Sequence, residues 1–386
     1  MPDSTYLIVG GGMTAAAAER GIREVDAKGS IAFIGDEPHR PYARPPLSKA
    51  LWQGKLEESV WLEHPAGVEM LTGRRAISID RAARRVADDR GESHGYRKLL
   101  LATGGSPRRL PYGEGRVIYY RTLDDYRALR AVKGERVAVI GGGFIGSEIS
   151  AALAQNGKKV SMIFPEAGVC ARAFPADLTA FVTDYYRQKG VEVLAGEGVT
   201  GLDARGVQTK SGRTVEAQAV VAGIGIAPNV DLARSAGLTV SDGIEVDEAL
   251  RTSDPDIFAA GDVARFYNPA LGKKLRVEHE DNANTMGAAA GRSMAGAPVG
   301  YHHLPFFYSD LFDLGYEAVG ELDSRHQTFA DWKTLFREGV VYYLEGGRVR
   351  GVLLWNTWGQ VDHARSLIAE PGPFRGPDLK GRLPKG

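Results

Sequence analysis

The chain has 386 residues, of which 43% are hydrophobic and 25% charged, and Lys+Arg and Asp+Glu both number 48. This length predicts two or three domains with sizeable cores, and the charge balance gives no global field that would favour nucleic acid or an anionic membrane. No apolar stretch approaches the roughly 18 residues that suggest a spanning helix, and no cleavable targeting sequence is visible, so we expect a cytoplasmic protein without either partner.

Cysteine and histidine usage excludes two kinds of chemistry. The single cysteine, Cys170, rules out an internal disulfide framework and a Cys-x-x-Cys redox pair. The 8 histidines show no metal-ligand spacing, and the adjacent His302 and His303 would point apart in an extended segment. We therefore expect no metal site and no dithiol chemistry.

The first element is a strand, Tyr6 to Val9, that runs into a glycine-rich turn. In such a turn Gly10 permits the tight bend and Gly12 lets the backbone approach a pyrophosphate. Ala15 stands in the place of the third glycine, which the fingerprint allows, and a helix begins there. The pattern predicts a phosphate-binding turn at a helix N-terminus.

The second strand, Ser30 to Ile34, ends at two acidic residues, Asp36 and Glu37. A carboxylate at this place is expected to accept hydrogen bonds from an adenosine ribose. We favour Asp36 over Glu37. The alternative is that Asp36 is a solvated loop acid.

Two further segments are expected beside a cofactor. The proline-stiffened stretch from Pro41 to Lys49 should hold Arg44 and Lys49 rigidly, because prolines keep it out of a helix until after Pro46. The apolar strand from Leu99 to Thr103 breaks into a glycine turn at Gly104.

A second glycine turn follows the buried strand Val137 to Ile140. Gly141, Gly143 and Gly146 have the Gly-x-Gly-x-x-Gly spacing, and Val160 to Phe164 reads as the next strand, which completes a βαβ unit. One such match is weak in a chain with 49 glycines, and an ordinary turn without a ligand is the alternative. Two turns in this context imply two bound dinucleotides.

The remaining elements predict a return to the first domain and then a change of architecture. A buried strand from Ile257 places Gly261 and Asp262 at the carboxyl edge of the sheet, where ligands bind in open α/β folds. A helix of small residues then runs from Glu278 to Met294. Later segments read as an antiparallel sheet with a hairpin turn, a helix and an irregular tail, namely 306–308, 340–344, 349–355, Gly346-Gly347, 361–368 and the chain from Pro371.

The predicted fold class is α/β, with two Rossmann-like dinucleotide-binding domains and a C-terminal α+β domain containing an antiparallel sheet. Residues 1–118 and 252–300 form the first domain, residues 119–251 the second and residues 301–386 the C-terminal domain.

These motifs resemble those of two-dinucleotide flavoprotein reductases, and within them the apoptosis-inducing factor family, with the oxygenase-coupled ferredoxin reductases close behind. Motifs of the wider group are Gly10–Ala15, Arg44–Lys49, Ala102–Gly105, Gly141–Gly146 and Ala260–Asp262. Motifs more particular to the narrower family are Phe164–Glu166, Arg276–His279, Tyr308–Leu311, Gly315–Ala318 and Val352–Asn356. The resemblance spans nearly the whole chain.

The resemblance implies FAD in the first domain, NADH in the second and a C-terminal domain that covers the flavin. Lys49 and Glu148 correspond to the family's ion pair beside the flavin ring; without the resemblance both would be read as surface charges. His279 and Phe144 would flank the nicotinamide, and the helix after Glu278 would stabilise negative charge on the reduced flavin. On its own, His279 would be read as a core histidine.

The resemblance thus makes Lys49, Glu148 and His279 the candidate catalytic residues, with no metal. The candidate cofactor-binding residues are Gly10, Gly12, Ala15, Asp36, Glu37, Arg44, Lys49, Thr103, Gly104, Arg121, Gly141, Gly143, Phe144, Ile145, Gly146, Glu166, Gly225, Gly261, Asp262, Glu278, His279, Tyr308 and Glu317. Arg44 and Arg121 are expected to contact the pyrophosphate. Glu166 predicts a preference for NADH over NADPH, with Arg172 as the residue that a loop could bring back.

Two departures limit what is carried over. Tyr308 stands where the vertebrate family member has tryptophan, so less aromatic area would stack on the ring. The long C-terminal insertion of that protein has no counterpart here, because the segment after Gly320 runs almost directly into Phe329. We therefore do not transfer its localisation or cell-death role.

Three functions remain open from the sequence. The first, which we favour here, is an NADH-oxidising flavoprotein that holds a long-lived reduced flavin–NAD charge-transfer complex and signals through shape, a partner or a redox-dependent homodimer. The second is a ferredoxin or rubredoxin reductase that passes electrons to a small iron–sulfur protein. The third is a binding scaffold with a structural cofactor, against which the intact Lys49, Glu148 and glycine turns argue.

Overall fold

The computed structural model describes residues 3–384. The chain divides into two compact units. The first unit comprises the chain to Ala43 with Glu58–Ser106 and Ala227–Pro305, and the second comprises Arg44–Glu57, Pro107–Ile226 and the chain from Phe306. The proline-stiffened segment from Arg44 therefore belongs to the second unit. The assignment of three functional domains stays a prediction.

Strands occur along the whole described chain. They are β1 (Ser4–Val9), β2 (Ile31–Gly35), β3 (Val68–Thr72), β4 (Ala76–Asp80), β5 (Arg85–Asp88), β6 (Ser93–Leu101), β7 (Gly105–Pro107), β8 (Val117–Tyr119), β9 (Arg136–Ile140), β10 (Lys159–Phe164), β11 (Glu192–Ala195), β12 (Val199–Asp203), β13 (Gly206–Thr209), β14 (Thr214–Glu216), β15 (Ala219–Ala222), β16 (Ile226–Pro228), β17 (Val240–Ser241), β18 (Gly243–Glu245), β19 (Ile257–Ala259), β20 (Ala264–Asn268), β21 (Lys273–Leu275), β22 (Phe306–Leu311), β23 (Leu314–Gly320), β24 (Gln327–Thr334), β25 (Glu338–Glu345) and β26 (Arg348–Trp355).

Helices connect these strands. The α-helices are α1 (Met13–Arg23), α2 (Leu123–Arg130), α3 (Phe144–Gln155), α4 (Ala176–Gln188), α5 (Asp231–Ser235), α6 (Glu280–Met294) and α7 (Val361–Ala369). Short 3₁₀ helices span Pro45–Ser48, Glu57–Val60, Gly261–Val263 and Gly376–Leu379. The last of these lies in the tail that the sequence predicted to be irregular, where Asp378 accepts a hydrogen bond from the backbone of Arg375 and caps the turn.

The first unit is built on a sheet with the order β3-β2-β1-β6-β5-β4, and β19 also pairs with β6. Strands β3, β2, β1, β6 and β19 run parallel, whereas β5 and β4 are antiparallel additions. The residues of β1 and β2 are almost all buried, as expected of parallel strands covered on both faces. The carboxyl ends of β1 and β2 therefore lie side by side.

Helices α1 and α6 pack closely in the first unit because small residues line their contact. A Cβ atom on Gly21 would lie 2.1 Å from the Ala288 carbonyl oxygen. On the other helix, a Cβ atom on Gly291 would lie 2.2 Å from the Ala18 carbonyl oxygen. These glycines fix α1, and with it the first glycine turn, against the rest of the unit. A smaller sheet of this unit has the order β17-β18-β20-β21.

The second unit contains a parallel sheet with the order β11-β10-β9-β15-β8. Helix α3 follows β9 and leads to β10, which is the predicted βαβ unit. A three-stranded antiparallel sheet, β12-β13-β14, belongs to the same unit.

The antiparallel sheet of the second unit has the order β22-β23-β26-β25-β24. The predicted hairpin turn at Gly346 and Gly347 connects β25 and β26, and both glycines have positive φ. Tyr316 and Trp355 are fully buried and stack with ring centroids 5.8 Å apart. The predicted fold class is confirmed. Among the described residues, no helix is long and apolar enough to span a membrane.

Candidate functional site

The first glycine turn joins β1 to α1. Gly10 has a φ of +126°, and a Cβ atom there would lie 2.1 Å from the Ala102 carbonyl oxygen, so no other residue fits this bend. Gly12 is the N-cap of α1, has no side-chain cap, and its position has no atom within 4 Å of an added Cβ. Ala15 is completely buried one turn further on. The N-terminus of α1 thus offers open space and its partial positive charge to an anion.

The second glycine turn, between β9 and α3, repeats this geometry. Gly141 has a φ of +117°, and its added Cβ would lie 2.4 Å from the Gly223 carbonyl oxygen. Gly143 is the N-cap of α3, again without a side-chain cap and with nothing within 4 Å of an added Cβ. At Gly146 the added Cβ would lie 2.0 Å from the Gly141 carbonyl oxygen, which leaves no room for a side chain.

Both turns fit a dinucleotide pyrophosphate. Neither α1 nor α3 carries an acidic residue in its first turn, so no carboxylate competes with the anion for the helix N-terminus. Ile145, in the first turn of α3, is 42% exposed and presents an apolar surface at the same place.

The two acids after β2 have different environments. Asp36 is exposed and pairs with Arg75 at 3.2 Å, and both side chains are about two-thirds exposed. Glu37 is half-buried and accepts a hydrogen bond from the Tyr42 hydroxyl. An exposed pair contributes little to stability, so Asp36 can exchange its partner for a ribose at low cost. The assignment of Asp36 to the ribose stays a prediction.

Asn229 secures the glycine turn after β6, and sequence reasoning missed it. Its side-chain amide donates to the Thr103 carbonyl (2.8 Å), its backbone N–H donates to the Gly104 carbonyl (3.0 Å), and its own carbonyl accepts from the Thr103 hydroxyl (2.8 Å). The chain thus holds Thr103 and Gly104 in one conformation. Thr103 lies 126 residues from Asn229, so no local sequence pattern indicates the contact.

Gly261 and Asp262 follow β19, as predicted. An added Cβ on Gly261 would lie 2.3 Å from the Thr14 hydroxyl oxygen, which brings this turn against the first turn of α1. The Asp262 carbonyl accepts a hydrogen bond from Arg276 at 3.0 Å. The two candidate FAD segments of the first unit therefore meet at the carboxyl edge of its sheet.

Helix α6 begins at Glu280, with His279 as its N-cap, whereas the sequence predicted a start at Glu278. The reason is local: the Asn282 amide donates to the Val277 carbonyl at 3.1 Å and keeps the preceding backbone extended. Glu280 and Asp281 lie in the first turn of α6. Their charges oppose the predicted stabilisation of a negative flavin by this helix.

Burial lowers the pKa of His279 from 6.5 to about 4, and the nearby carboxylates of Asp262 and Asp281 only partly oppose this. The imidazole is therefore neutral at physiological pH.

This shift predicts a loss of stability on acidification. Between pH 6.5 and 4 the unfolded chain binds a proton at His279 that the folded chain does not, so stability falls as the pH falls through this window. Between pH 7 and 5 the His279 contribution to the unfolding free energy should fall by about 2 kcal/mol. The unfolding free energy of His279→Gln, measured with urea, should decline less between pH 7 and 5 than that of the parent. The same change at the exposed His363 should leave the decline as steep as in the parent. Equal declines in all three proteins would contradict the neutral assignment.

In the second unit, Lys49 and Glu148 form the predicted ion pair. Lys49 Nζ lies 2.7 Å from Glu148 Oε1, and the two side chains are 11% and 4% exposed. Lys49 follows the 3₁₀ helix Pro45–Ser48, and Glu148 lies in the second turn of α3. Neither is a surface charge.

Two serines that the sequence did not single out complete this cluster. The Ser48 hydroxyl donates to Glu148 Oε2 and the Ser309 hydroxyl donates to Glu148 Oε1, both at 2.6 Å. Nearby, burial raises the pKa of Asp310; Glu148 acts in the same direction, while Lys49 opposes the shift. Buried carboxylates are costly unless donors solvate them, and Glu148 has three.

Aromatic rings surround the cluster. Lys49 Nζ lies 5.1 Å from the centroid of the Tyr308 ring, and Tyr308 is 37% exposed. The Phe144 ring at the start of α3 packs on Phe307 with centroids 4.8 Å apart. Glu317 lies directly opposite Tyr308 in the register of β22 and β23, and burial raises its pKa. The second unit thus gathers Lys49, Glu148, Phe144, Tyr308 and Glu317, whereas His279 belongs to the first unit.

Three other candidates of the second unit are also paired. The Arg44 guanidinium donates to the Arg121 carbonyl at 2.9 Å, so the two predicted pyrophosphate ligands are adjacent. Gly225 has a positive φ and accepts a hydrogen bond from the Arg108 backbone at 2.9 Å. Their contacts with a cofactor stay predictions.

Glu166, after β10, pairs with Arg172. Arg172 Nη2 lies 2.5 Å from Glu166 Oε1, and the two side chains are 85% and 24% exposed. The loop conformation therefore places Arg172 beside Glu166, the possibility that the sequence analysis left open.

Two other features among residues 3–384 bear on cysteine and metal chemistry, namely Cys170 and an acidic cluster at Asp88. Burial raises the pKa of Cys170 to about 12, so its thiol is not a nucleophile. Asp88, Glu92 and His94 cluster closely enough to suggest a metal site, but Arg74 donates to both Asp88 and Glu92 and supplies the cation there.

Two glycine turns at helix N-termini and a buried Lys–Glu pair fit the class that comparison with known proteins shows, a two-dinucleotide flavoprotein oxidoreductase that uses FAD and NAD(H). Residues 4–287 match the family described as pyridine nucleotide-disulphide oxidoreductase, and the chain belongs to that family. With one cysteine in the whole sequence, it lacks the dithiol in the family's name.

Known proteins resemble the chain over nearly its full length. The mitochondrial apoptosis-inducing factor 1 of Dictyostelium discoideum is 34% identical over 94% of this chain and 78% of its own. The ferredoxin–NAD(+) reductase component of the anthranilate 1,2-dioxygenase system of Burkholderia cepacia is 37% identical over 96% and 95%. The solved structure of a covalent putidaredoxin reductase–putidaredoxin complex aligns with a TM-score of 0.90 at 31% identity, covering 98% of this chain and 96% of that one.

Proposed function

We propose that the protein oxidises NADH and passes the electrons, through FAD, to a small iron–sulfur protein. When bound, FAD accepts a hydride from NADH and releases the electrons one at a time. The observation that carries the proposal is the buried Lys49–Glu148 pair beside the partly exposed Tyr308 ring. A fixed cation of this kind is what a reacting ring that gains negative charge requires.

The residues of the chain have separable roles in this proposal. The turns at Gly12 and Gly143 bind the two pyrophosphates, and the predicted first domain, residues 1–118 and 252–300, holds FAD. Residues 119–251 hold NADH. Tyr308 and Phe144 give the nicotinamide apolar surfaces.

The relatives support the choice of acceptor. The chain covers a ferredoxin–NAD(+) reductase component almost from end to end, and it shares its fold with a putidaredoxin reductase captured with putidaredoxin. A small protein of the same chemical class is therefore the partner we propose.

A second candidate is the long-lived complex of reduced flavin and NAD, which the sequence favoured. Two observations support it: the contact of the Phe144 and Phe307 rings at the start of α3, and the Lys49 ammonium over the Tyr308 ring. If these rings covered NAD⁺ after reduction, oxygen would react slowly, and NAD-dependent closure could bias a homodimer. The similarity to apoptosis-inducing factor 1 is consistent with this candidate.

Anaerobic titration with NADH, followed by rapid mixing with oxygen or a [2Fe–2S] ferredoxin, separates the functions. Fast turnover on ferredoxin, without a long-wavelength band, supports the reductase. A persistent long-wavelength charge-transfer band with slow oxidation supports the second candidate. Flavin that NADH does not reduce would overturn both and leave a binding scaffold.

Cofactor preference gives a further prediction at Glu166. The carboxylate should repel a 2′-phosphate and favour NADH, but the same carboxylate also neutralises Arg172. Glu166→Ala should free Arg172 to bind that phosphate and shift the NADPH-to-NADH ratio of kcat/KM toward NADPH by about tenfold, the equivalent of one charge-assisted hydrogen bond.

The double variant with Arg172→Ala is the matched control for this prediction. It removes the freed guanidinium and should lose most of the gain. An unchanged ratio in Glu166→Ala would show that Glu166 does not face the ribose.

A further inference from the structure

The Glu148 carboxylate is held by three donors from two separate segments of the second unit, Ser48-Lys49 and Ser309. Oε1 accepts from Lys49 Nζ at 2.7 Å and from Ser309 Oγ at 2.6 Å, while Oε2 accepts from Ser48 Oγ at 2.6 Å. Ser48 lies 100 residues before Glu148 and Ser309 lies 161 residues after it. Both oxygens are thereby fixed, and the carboxylate cannot rotate without breaking a bond.

Both serines are themselves rigidly placed. Ser309 is fully buried in β22, where its register partner is the buried Tyr316. Ser48 ends a 3₁₀ helix that begins with two prolines, and the preceding Leu47 carbonyl accepts from the Trp52 indole at 2.8 Å. A hydroxyl on a fixed backbone is a directional donor.

Other charged and polar groups surround the pair. Asp310 is a second carboxylate close enough to interact with Lys49, and Tyr186 and Tyr316 have pKa values that burial raises well above their usual range. The phenols stay neutral, so Asp310 is the competitor for the lysine. The Ser48 and Ser309 hydroxyls donate to Glu148, so these two hydrogen bonds favour Glu148 over Asp310 as the partner of the lysine.

We propose that Ser309 and Ser48 are positioning residues that lock the Glu148 carboxylate and, through it, aim the Lys49 ammonium. The proposal rests on the proposed function, in which that ammonium faces the flavin. The serines touch neither substrate nor cofactor in this account. Their role is to fix the position of the Lys49 ammonium through Glu148.

Ser309→Ala and Ser48→Ala, each in the FAD-loaded protein, test the proposal. Each should slow flavin reduction by NADH about tenfold, the equivalent of one charge-assisted hydrogen bond, and shift the flavin midpoint potential to more negative values, because a loosely held cation stabilises negative charge less well. Without nucleotide, acetylation of Lys49, followed by mass spectrometry, should become faster. Ser309→Thr retains a hydroxyl and should restore all three readouts toward the parent.

Ser150→Ala is the matched control. Ser150 lies on the same helix, is fully buried, and its hydroxyl has no hydrogen-bond partner within residues 3–384, so its removal should change none of the readouts. The proposal is overturned if Ser309→Ala and Ser48→Ala behave like Ser150→Ala, or if Ser309→Thr is no better than Ser309→Ala.

Lys49→Met separates this inference from the proposed function. If Lys49→Met slows reduction and shifts the potential while the serine variants do not, the positioning role alone fails. If Lys49→Met also leaves the reduction rate and the potential unchanged, the lysine has no role in the proposed function, and the positioning role of the serines is disproved with it.

Discussion

Gly143→Val is expected to abolish the reduction of bound flavin by NADH, while Gly12→Val is expected to give a protein that no longer retains FAD. At both positions an added Cβ meets no atom within 4 Å, so valine fits the fold but fills the space that a pyrophosphate needs. Loss of two charge-assisted hydrogen bonds costs about 3 kcal/mol, which weakens binding by about 100-fold or more. Flavin absorbance and stopped-flow reduction measure the two outcomes separately.

The contrast between neighbouring glycines makes this prediction specific. Gly10→Val should fail to fold, because its Cβ would lie 2.1 Å from a backbone oxygen at a φ of +126°. Gly201→Val in β12 is the control, since its added Cβ would have nothing nearer than 4.0 Å and the position lies in a strand outside the turns. A Gly143→Val protein that NADH reduces with unchanged kinetics would remove NADH from the second turn.

The sequence predicts the turns because their chemistry is local. Strand, glycines and helix follow one another within about a dozen residues, and each glycine has a steric reason that the structure bears out at Gly10 and Gly141. Local spacing therefore predicted the fold class and two dinucleotide sites, and the family resemblance identified the two cofactors.

The Lys49–Glu148 pair could not be derived in this way. The two residues are 99 positions apart, and only the family resemblance brought them together before the structure did. The sequence analysis did not single out a role for Ser309 or Asn229, for the same reason: hydroxyl and amide donors occur throughout the chain. Only the tertiary contacts show which of these donors bind functional residues.

The start of α6 and the pairing of Glu166 show a second limit. Glu278 reads as a good first-turn acid, but the Asn282 side chain holds the backbone before His279 extended. Arg172 lies six residues beyond Glu166, and the loop conformation, not its composition, places the guanidinium 2.5 Å away. Both outcomes depend on side-chain hydrogen bonds that short-range propensity does not contain.

Glu148→Ala is expected to destabilise the second unit and to slow flavin reduction together. The substitution leaves the Lys49 ammonium, 11% exposed, without the carboxylate 2.7 Å away. Removal of one partner of a buried ion pair costs about 3–5 kcal/mol. Denaturant unfolding should show this loss, and stopped-flow reduction by NADH should slow because the cation is no longer fixed.

The double variant Lys49→Met with Glu148→Leu distinguishes stability from function. Replacing a buried ion pair by apolar residues of similar size is often neutral for stability, so the double variant should recover most of the 3–5 kcal/mol lost by Glu148→Ala, to within about 1 kcal/mol of the parent. Its flavin reduction should nevertheless stay slow, because the Lys49 ammonium that lay over the Tyr308 ring is gone. Recovery of both quantities would mean that the pair only holds the fold together. Recovery of stability alone assigns the charge of Lys49 to the reaction with NADH.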